Sequence, residues 1–292
     1  MKTALVILCR NQGKYASRIA EAVKAQSVAP ETVFVVMDRP DILERSKVSG
    51  AYRDIPGIRM LVVGSAPETI SRPPMVPNVS PFCAGHCRNL ALEMLDGYEL
   101  IIFTDGDCIP ESQMVESHIA AYTEGGVTVG RRLEGKWLYR DQREAYGARP
   151  IPIFFKESRR VTSERYVADS GVVWTCNFGM SSGAVEAIRK LNEELYGVSA
   201  VFHPDFCGRW GGEDGFLGME CLYAGIPIMT TPVMEHDGVV HLDHPRPADK
   251  YDHVSFLPFL EAKRHELVTL MNATGRYAGE FRTLYSMVGD RR

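Results

Sequence analysis

The chain has 292 residues, 45% hydrophobic and 24% charged, enough for one large globular domain or two small ones. No apolar run approaches the roughly 20 residues needed to cross a membrane as a helix, and a net charge of -4 gives no overall field favouring nucleic acid. Seven scattered cysteines, an odd number, are expected to be reduced thiols of a cytoplasmic protein.

Thr3 to Cys9 is nearly all apolar and reads as a first strand rather than a secretory leader, since it has one lysine before it and no small-residue cleavage site. Lys14 to Ala25 carries Ile19, Ala20 and Val23 at helical spacing, and Thr32 to Met37 is a β-branched run ending at Asp38. Strand, helix, strand makes a parallel sheet the natural outcome. A short helix over Ile42 to Val48 and a third strand over Ile58 to Val63 follow, then five prolines from Pro67 to Pro81 that mark a surface loop or flap. Gly85 to Leu95 reads as a helix and Leu100 onward as a strand buried on both faces.

Pro110 suits the first turn of a helix over Glu111 to Tyr122. Val127 to Gly130 could be a strand, whereas Arg131 to Arg165 is rich in Arg, Tyr and Pro and has no sustained period. Val172 to Met180 is a strand candidate; Ser182 to Leu195 is a helix with Ser182 available as cap. Gly215 to Ala224 is a helix stopped by Gly225, Ile226 to Thr230 a short strand, and Phe256 to Val288 a broken helical tail. The fold class expected is α/β, a mainly parallel sheet with helices on both faces.

The buried strand ends in Asp105-Gly106-Asp107. Ligands bind outside the carboxyl ends of strands in open α/β sheets. Two anions across a glycine are costly unless a cation lies between them, and a divalent metal with oxygen ligands is the simplest one. Arg10-Asn11, Asp38 and Arg88-Asn89 fall near the same sheet edge. Each has a plain structural reading as well: the D-x-D could cap a helix, Asp38 could end a strand, and Arg88 could pair with a surface acid. Trp210-Gly211-Gly212-Glu213-Asp214 is more informative, because capping by Asp214 requires neither the tryptophan nor the paired glycines. Three histidines, His236, His241 and His244, raise a self-contained zinc centre; Gly238 and Pro245 and the lack of a helical i, i+4 pair speak against it. Cys83 and Cys87 likewise lack a second pair.

These motifs together resemble a GT-A fold glycosyltransferase similar to family 2. ALVILCRNQGKYASRIAEAVKAQSVAPETVFVVMD is similar to that family's first strand, helix and second strand, and GHCRNLALEMLDGYELIIFTDGDCIPE to the elements leading to its D-x-D. TCNFGMSSGAVEAI resembles its acceptor-side strand and helix. WGGEDGFLGMECLYAGIPIM resembles its E-D helix, which β-1,4-galactosyltransferases carry behind a similar Trp-Gly-Gly. The match runs from Thr3 to His241 and leaves 131–171 unmatched. It implies a single GT-A domain over 1–292, with a nucleotide-sugar half (1–124), an acceptor-side half (125–245) and a C-terminal tail (246–292).

The resemblance implies a donor site of Arg10, Asn11, Asp38, Arg88, Asp105 and Gly106, with Asp38 on the base. Asp107, Asp105 and His236 would hold Mn2+ or Mg2+; whether His241 or His244 takes the place of His236 stays open. Asp214 would be the base that deprotonates the acceptor, and Glu213, Trp210, Gly212 and Asn177 would line the acceptor site. Two departures weaken base identity: Cys9-Arg10-Asn11 stands where the family has Pro-x-Tyr-Asn, and Asp38-Arg39-Pro40 where it has paired acids and Ser.

The expected activity is metal-dependent transfer from a nucleotide-diphosphate sugar, UDP-sugars favoured, to an acceptor hydroxyl with inversion. The alternatives are a sugar-nucleotide nucleotidyltransferase, which should carry a Gly-rich triphosphate loop, and a non-catalytic nucleotide- or sugar-binding module. The eight arginines from Arg131 to Arg165 suit an anionic acceptor: an acidic glycan, a lipid-linked sugar or modified nucleic acid. Pairing with Glu134, Asp141, Glu144 and Glu157 explains them equally well.

Overall fold

The structure, a computed structural model, describes residues 1–64, 83–135, 149–150, 158–161, 172–207, 212–242 and 253–273. Three strands, β1 (Thr3–Cys9), β2 (Thr32–Asp38) and β3 (Ile58–Val63), alternate with α1 (Ala16–Lys24) and α2 (Ile42–Tyr52). Next come α3 (Ala84–Glu93), β4 (Leu100–Asp105), β5 (Cys108–Pro110), α4 (Met114–Ala120), β6 (Val127–Val129), β7 (Arg132–Gly135) and β8 (Arg149–Pro150). The remainder holds β9 (Phe178–Ser181), α5 (Ser182–Tyr196), α6 (Glu213–Tyr223), β10 (Ile228–Thr230), β11 (Val239–Leu242) and α7 (His253–Ala273).

Seven strands form the main sheet in the order β10-β6-β9-β4-β1-β2-β3, parallel except for β9, which runs against both neighbours. All seven residues of β1 are buried, and successive side chains enter opposite layers. Ala4, Val6 and Leu8 pack with residues of α3, α5 and α6, while Leu5, Ile7 and Cys9 pack with residues of α1, α2 and α4. Helices therefore cover both faces, which is why these strands read as unbroken apolar runs. Phe103, Phe178 and Phe202 form the aromatic centre of one layer, and burying each contributes about 1.5–3 kcal/mol.

The parallel register sets Leu8 beside Asp105 and Cys9 beside Met37, so the carboxyl ends of β1, β2 and β4 share one edge. A second sheet, β5-β11-β7-β8, lies just past β4 in the chain and carries His241 opposite Cys108.

Several local expectations change. Pro110 closes β5 instead of opening a helix; β5 is an edge strand, where a residue without an N–H costs no ladder bond, and α4 starts only at Met114. Val172 to Met180 is not one strand, because a 3-10 turn at Thr175–Asn177 precedes β9. The cap of α5 is Ser181, whose Oγ accepts the Ala184 N–H at 3.1 Å, rather than Ser182. Gly225 follows α6 at φ 70°, as a stopping glycine should.

The thiols are not all reduced: Cys83 and Cys207 form a disulfide with Cα atoms 4.4 Å apart, while Cys9, Cys87, Cys108, Cys176 and Cys221 are free and buried. The thiol argument for a cytoplasmic protein thereby loses its footing. Among the described residues no helix is long and apolar enough to cross a membrane. Pro67 to Pro81, most of Arg131 to Arg165 and the tail beyond 273 lie outside the described residues.

Candidate active site

The site begins where β4 ends. Gly106 donates to Leu8 O at 2.7 Å, and a Cβ there would lie 2.5 Å from Gln12 Oε1 and 2.9 Å from Cys9 Sγ. Glycine lets the chain turn against the end of β1 between the two carboxylates. Asp105, Asp107 and Cys108 each bring a ligand atom to one place, all within 4.8 Å of one another.

Burial pushes the Cys108 thiol up, so it stays protonated and faces Asp107 Oδ1 at 3.5 Å rather than offering a thiolate. His241 Nε2 lies 3.7 Å from Asp107 Oδ2. Two carboxylates and an imidazole suit Mn2+ or Mg2+, with coordination left for water and phosphate oxygens.

His236 sits beside Glu111. It follows β10 on a turn, its Nδ1 3.8 Å from Glu111 Oε1 and its backbone N–H bonded to Gln113 Oε1 at 3.2 Å. Pairing of β11 with β5 is what carries His241, five residues on, to Asp107; His244 lies outside the described residues.

On the donor side, Asp38 is 2% exposed and already engaged. Arg10 Nη1 reaches Oδ2 at 2.8 Å, Arg39 Nε reaches Oδ1 at 2.8 Å, and Arg39 Nη2 reaches Oδ2 at 3.0 Å. A carboxylate has about four acceptor sites, so three are taken. Asp38 therefore anchors two guanidinium groups at this strand edge. Asn11 and Arg39, the first or second residue beyond their strands, hold φ of 54° and 47°. Such left-handed non-glycine residues gather at functional edges.

Arg88 is turned inward, with 2% exposed. It is buried over the Phe202 ring and donates to Asp105 Oδ1 at 2.8 Å and to Glu213 Oε1 at 3.1 Å. Burial raises Asp105 despite that guanidinium.

Gly212, at φ 89°, turns the chain into α6, a geometry glycine adopts without a steric penalty. Glu213 and Asp214 open the helix, and Asp214 Oδ1 accepts the Gly215 N–H at 2.7 Å. Burial and the neighbouring Glu213 carboxylate nevertheless push Asp214 up to about 7. A carboxylate poised there accepts a proton near neutral pH. Trp210 lies outside the described residues.

Asn177 Nδ2 donates to Arg131 O at 2.8 Å and its Oδ1 meets His118 Nε2 at 2.7 Å, with 1% of the residue exposed, so both ends of its amide are engaged within the fold. Arg131 itself is paired with Glu111 and Asp237, and Arg132 stacks over Trp174 at 5.4 Å. Of the residues that build this site, Gln12 and Cys108 had no signal beyond adjacency to Arg10-Asn11 and Asp107. Arg39 could have been found as the residue after a strand-ending aspartate.

No protein-family model matches the sequence, and no curated protein matches it. Solved structures do. S. aureus TarS 1-349 in complex with UDP-GlcNAc has a TM-score of 0.63 at 17% identity, covering 93% of this chain and 67% of that one. The chain has the GT-A fold. A second similar structure, GalNAc-T7 with UDP, GalNAc and Mn2+, has a TM-score of 0.55 at 11% identity and covers 84% of this chain and 44% of that one. A mycobacterial protein gives 0.52 at 12% identity, covering 95% of this chain and 76% of that one. The chain thus spans two-thirds of the TarS fragment and under half of GalNAc-T7.

Proposed function

We propose that this chain is a metal-dependent glycosyltransferase that moves a sugar from a nucleotide-diphosphate sugar, UDP-sugars favoured, to an acceptor hydroxyl with inversion. The observation that carries this reading is the joining of two carboxylate groups, Asp105-Asp107 at the end of β4 and Glu213-Asp214 at the start of α6, through one guanidinium, Arg88. The UDP and Mn2+ bound in the GT-A neighbours support the donor class. The likeness of Trp210 to Asp214 to the β-1,4-galactosyltransferase motif supports an acceptor role for that stretch.

Asp107, Asp105 and His241 would hold the divalent ion, which would supply charge neutralisation for the diphosphate leaving group. Arg10 and Arg39, fixed by Asp38, face the nucleotide. Asp214 takes the acceptor proton as the hydroxyl attacks from the side opposite the leaving group, and with one such base the configuration inverts. Glu213 accepts from Arg88, which orients the start of α6.

The test is release of nucleoside diphosphate from a panel of UDP-, GDP- and CDP-sugars with and without Mn2+. Turnover should be restricted to one donor class, require the ion, and vanish in Asp107→Asn and Asp214→Asn proteins that still melt cooperatively. Tight nucleotide binding with no turnover for any donor and acceptor would replace this reading by a binding module.

A further inference from the structure

Two carboxylates and an imidazole do not exhaust the donors at the end of β4. Cys108 opens β5 directly after Asp107, and its Sγ, an Asp105 oxygen and an Asp107 oxygen all lie within 4.8 Å of one another. A zinc ion bonds sulfur at about 2.3 Å and carboxylate oxygen at about 2.0–2.2 Å, so atoms this close can share one ion. The second sheet brings a nitrogen donor to the same place. β11 pairs with β5 so that His241 stands directly opposite Cys108, which puts both side chains on one face. His241 Nε2 also lies 3.7 Å from Asp107 Oδ2.

Burial does not put this thiol beyond an ion's reach. The Asp105 side chain is 30% exposed, so an ion that it captures from solvent is already inside the group that includes Sγ. Behind Cys108 stands Cys176, also buried and hydrogen-bonded to it sulfur to sulfur. Once Cys108 has lost its proton, the Cys176 S–H is the donor that supports the thiolate.

We propose that Cys108 makes this a thiophilic metal site: Zn2+ binds through the Cys108 thiolate with Asp105, Asp107 and His241, in the place that Mn2+ takes for transfer, and so blocks it. This rests on the reading of Asp105 and Asp107 as ion ligands. Hard and soft ions use the donors differently. Mn2+ and Mg2+ take carboxylate, water and phosphate oxygens and leave the thiol protonated, whereas Zn2+ and Cd2+ select thiolate. Binding balances as an exchange without oxidation: the S–H bond breaks, its electron pair forms the Zn–S bond, and the proton leaves to solvent.

Cd2+ reports a thiolate ligand directly, through the ultraviolet charge-transfer absorption of the Cd–S bond. Titrated into the full chain, it should raise that absorption and saturate with a single ion per chain. The absorption should be missing from Cys108→Ser and from Asp107→Asn. Cys108→Ser should bind Zn2+ roughly a hundredfold more weakly, since losing even an outer-shell partner costs about 10–100-fold. Its affinity for Mn2+, titrated with UDP present, should not change. Zn2+ should displace Mn2+ from the native protein, and far less readily from Cys108→Ser. X-ray absorption at the zinc edge of the native protein should show a sulfur neighbour at about 2.3 Å, a measurement that needs no variant to fold.

Absence of the Cd–S absorption, its persistence in either variant, or a zinc edge with only oxygen and nitrogen neighbours overturns the proposal. So does a Cys108→Ser protein that loses Mn2+ as steeply as Zn2+, because the thiol would then not discriminate between the ions. A Cd–S absorption lost in both variants, with no Mn2+ binding to the native protein, counts against the Mn2+-dependent transfer reading and leaves the thiolate ligand standing.

Discussion

Arg88 and Glu213, 125 residues apart in the chain, meet at 3.1 Å in the protein interior. The same guanidinium holds Asp105, so one side chain joins the end of β4 to the start of α6. Removing one partner of a buried pair leaves an uncompensated charge and costs about 3–5 kcal/mol. Arg88→Ala should lower the melting temperature accordingly and abolish turnover. Arg88→Lys keeps the charge but not the fork, so it should melt higher than Arg88→Ala and still turn over poorly.

Asp214 predicts opposite pH trends for activity and stability. Raised to about 7 from the ordinary aspartate value of 3.8, the carboxyl stays protonated in the fold where the unfolded chain has already ionised. Activity should therefore rise with pH through about 7. Stability from this group is fully present below about pH 4 and is lost as pH rises through about 7. Donor hydrolysis and melting temperature measured from pH 4 to 8 check both, and Asp214→Asn should flatten this part of the stability profile.

Much of this architecture is legible in the sequence because burial leaves a periodic mark. Thr3 to Cys9, Thr32 to Asp38 and Ile58 to Val63 form strands as their apolar runs require, and Asp105 and Asp107 stand at the sheet edge where the run ends. What a side chain does there is set by partners distant in sequence. Asp38 is held by Arg10 and Arg39, and Asn177 by His118, contacts that no local pattern in the sequence marks. The disulfide was hidden for the same reason: 124 residues separate its halves. Pro110 misled because local propensity favours a helix start, whereas pairing with β11 decides the outcome.

Asn177 should behave as a structural residue. Since its Nδ2 donates to Arg131 O, its Oδ1 accepts from His118 Nε2–H, which leaves His118 Nδ1 to accept the Thr128 hydroxyl at 2.6 Å. Burial lowers His118 to about 4, consistent with a neutral ring. Asn177→Ala strands buried polar groups at about 1–3 kcal/mol each. Melting should fall by several degrees, while the acceptor KM of whatever folds stays unchanged.

Gly106→Ala tests the turn between the two carboxylates proposed to hold the ion. The new methyl would press on Gln12 Oε1 at 2.5 Å, Cys9 Sγ at 2.9 Å and Leu8 O at 3.1 Å. Gln12 can swing away, but the Leu8 carbonyl belongs to β1 and cannot. Overpacking of this kind costs about 1–3 kcal/mol. Denaturant melts should show that loss, and Mn2+ affinity should fall with it, because Asp105 and Asp107 flank the displaced residue.

The choice between two histidines is the sharpest test of the metal site. His241 lies on β11, whose pairing with β5 fixes it 3.7 Å from Asp107, while His236 sits on a turn beside Glu111 with 43% of its side chain exposed. A ligand held by a strand is presented in one orientation, which is what a metal site needs. His241→Ala should weaken Mn2+ binding, measured by titration with UDP present, by roughly tenfold or more. His236→Ala should leave it unchanged. Because a ligating imidazole must be neutral, binding to the native protein should also weaken toward acid pH, and part of that dependence should disappear in His241→Ala. The reverse pattern, a loss at His236 and none at His241, would mean that β11 leaves β5 when the ion binds. Hydrogen exchange at Val240 and Leu242 would then rise on Mn2+ addition, whereas an intact β5–β11 pair keeps them protected.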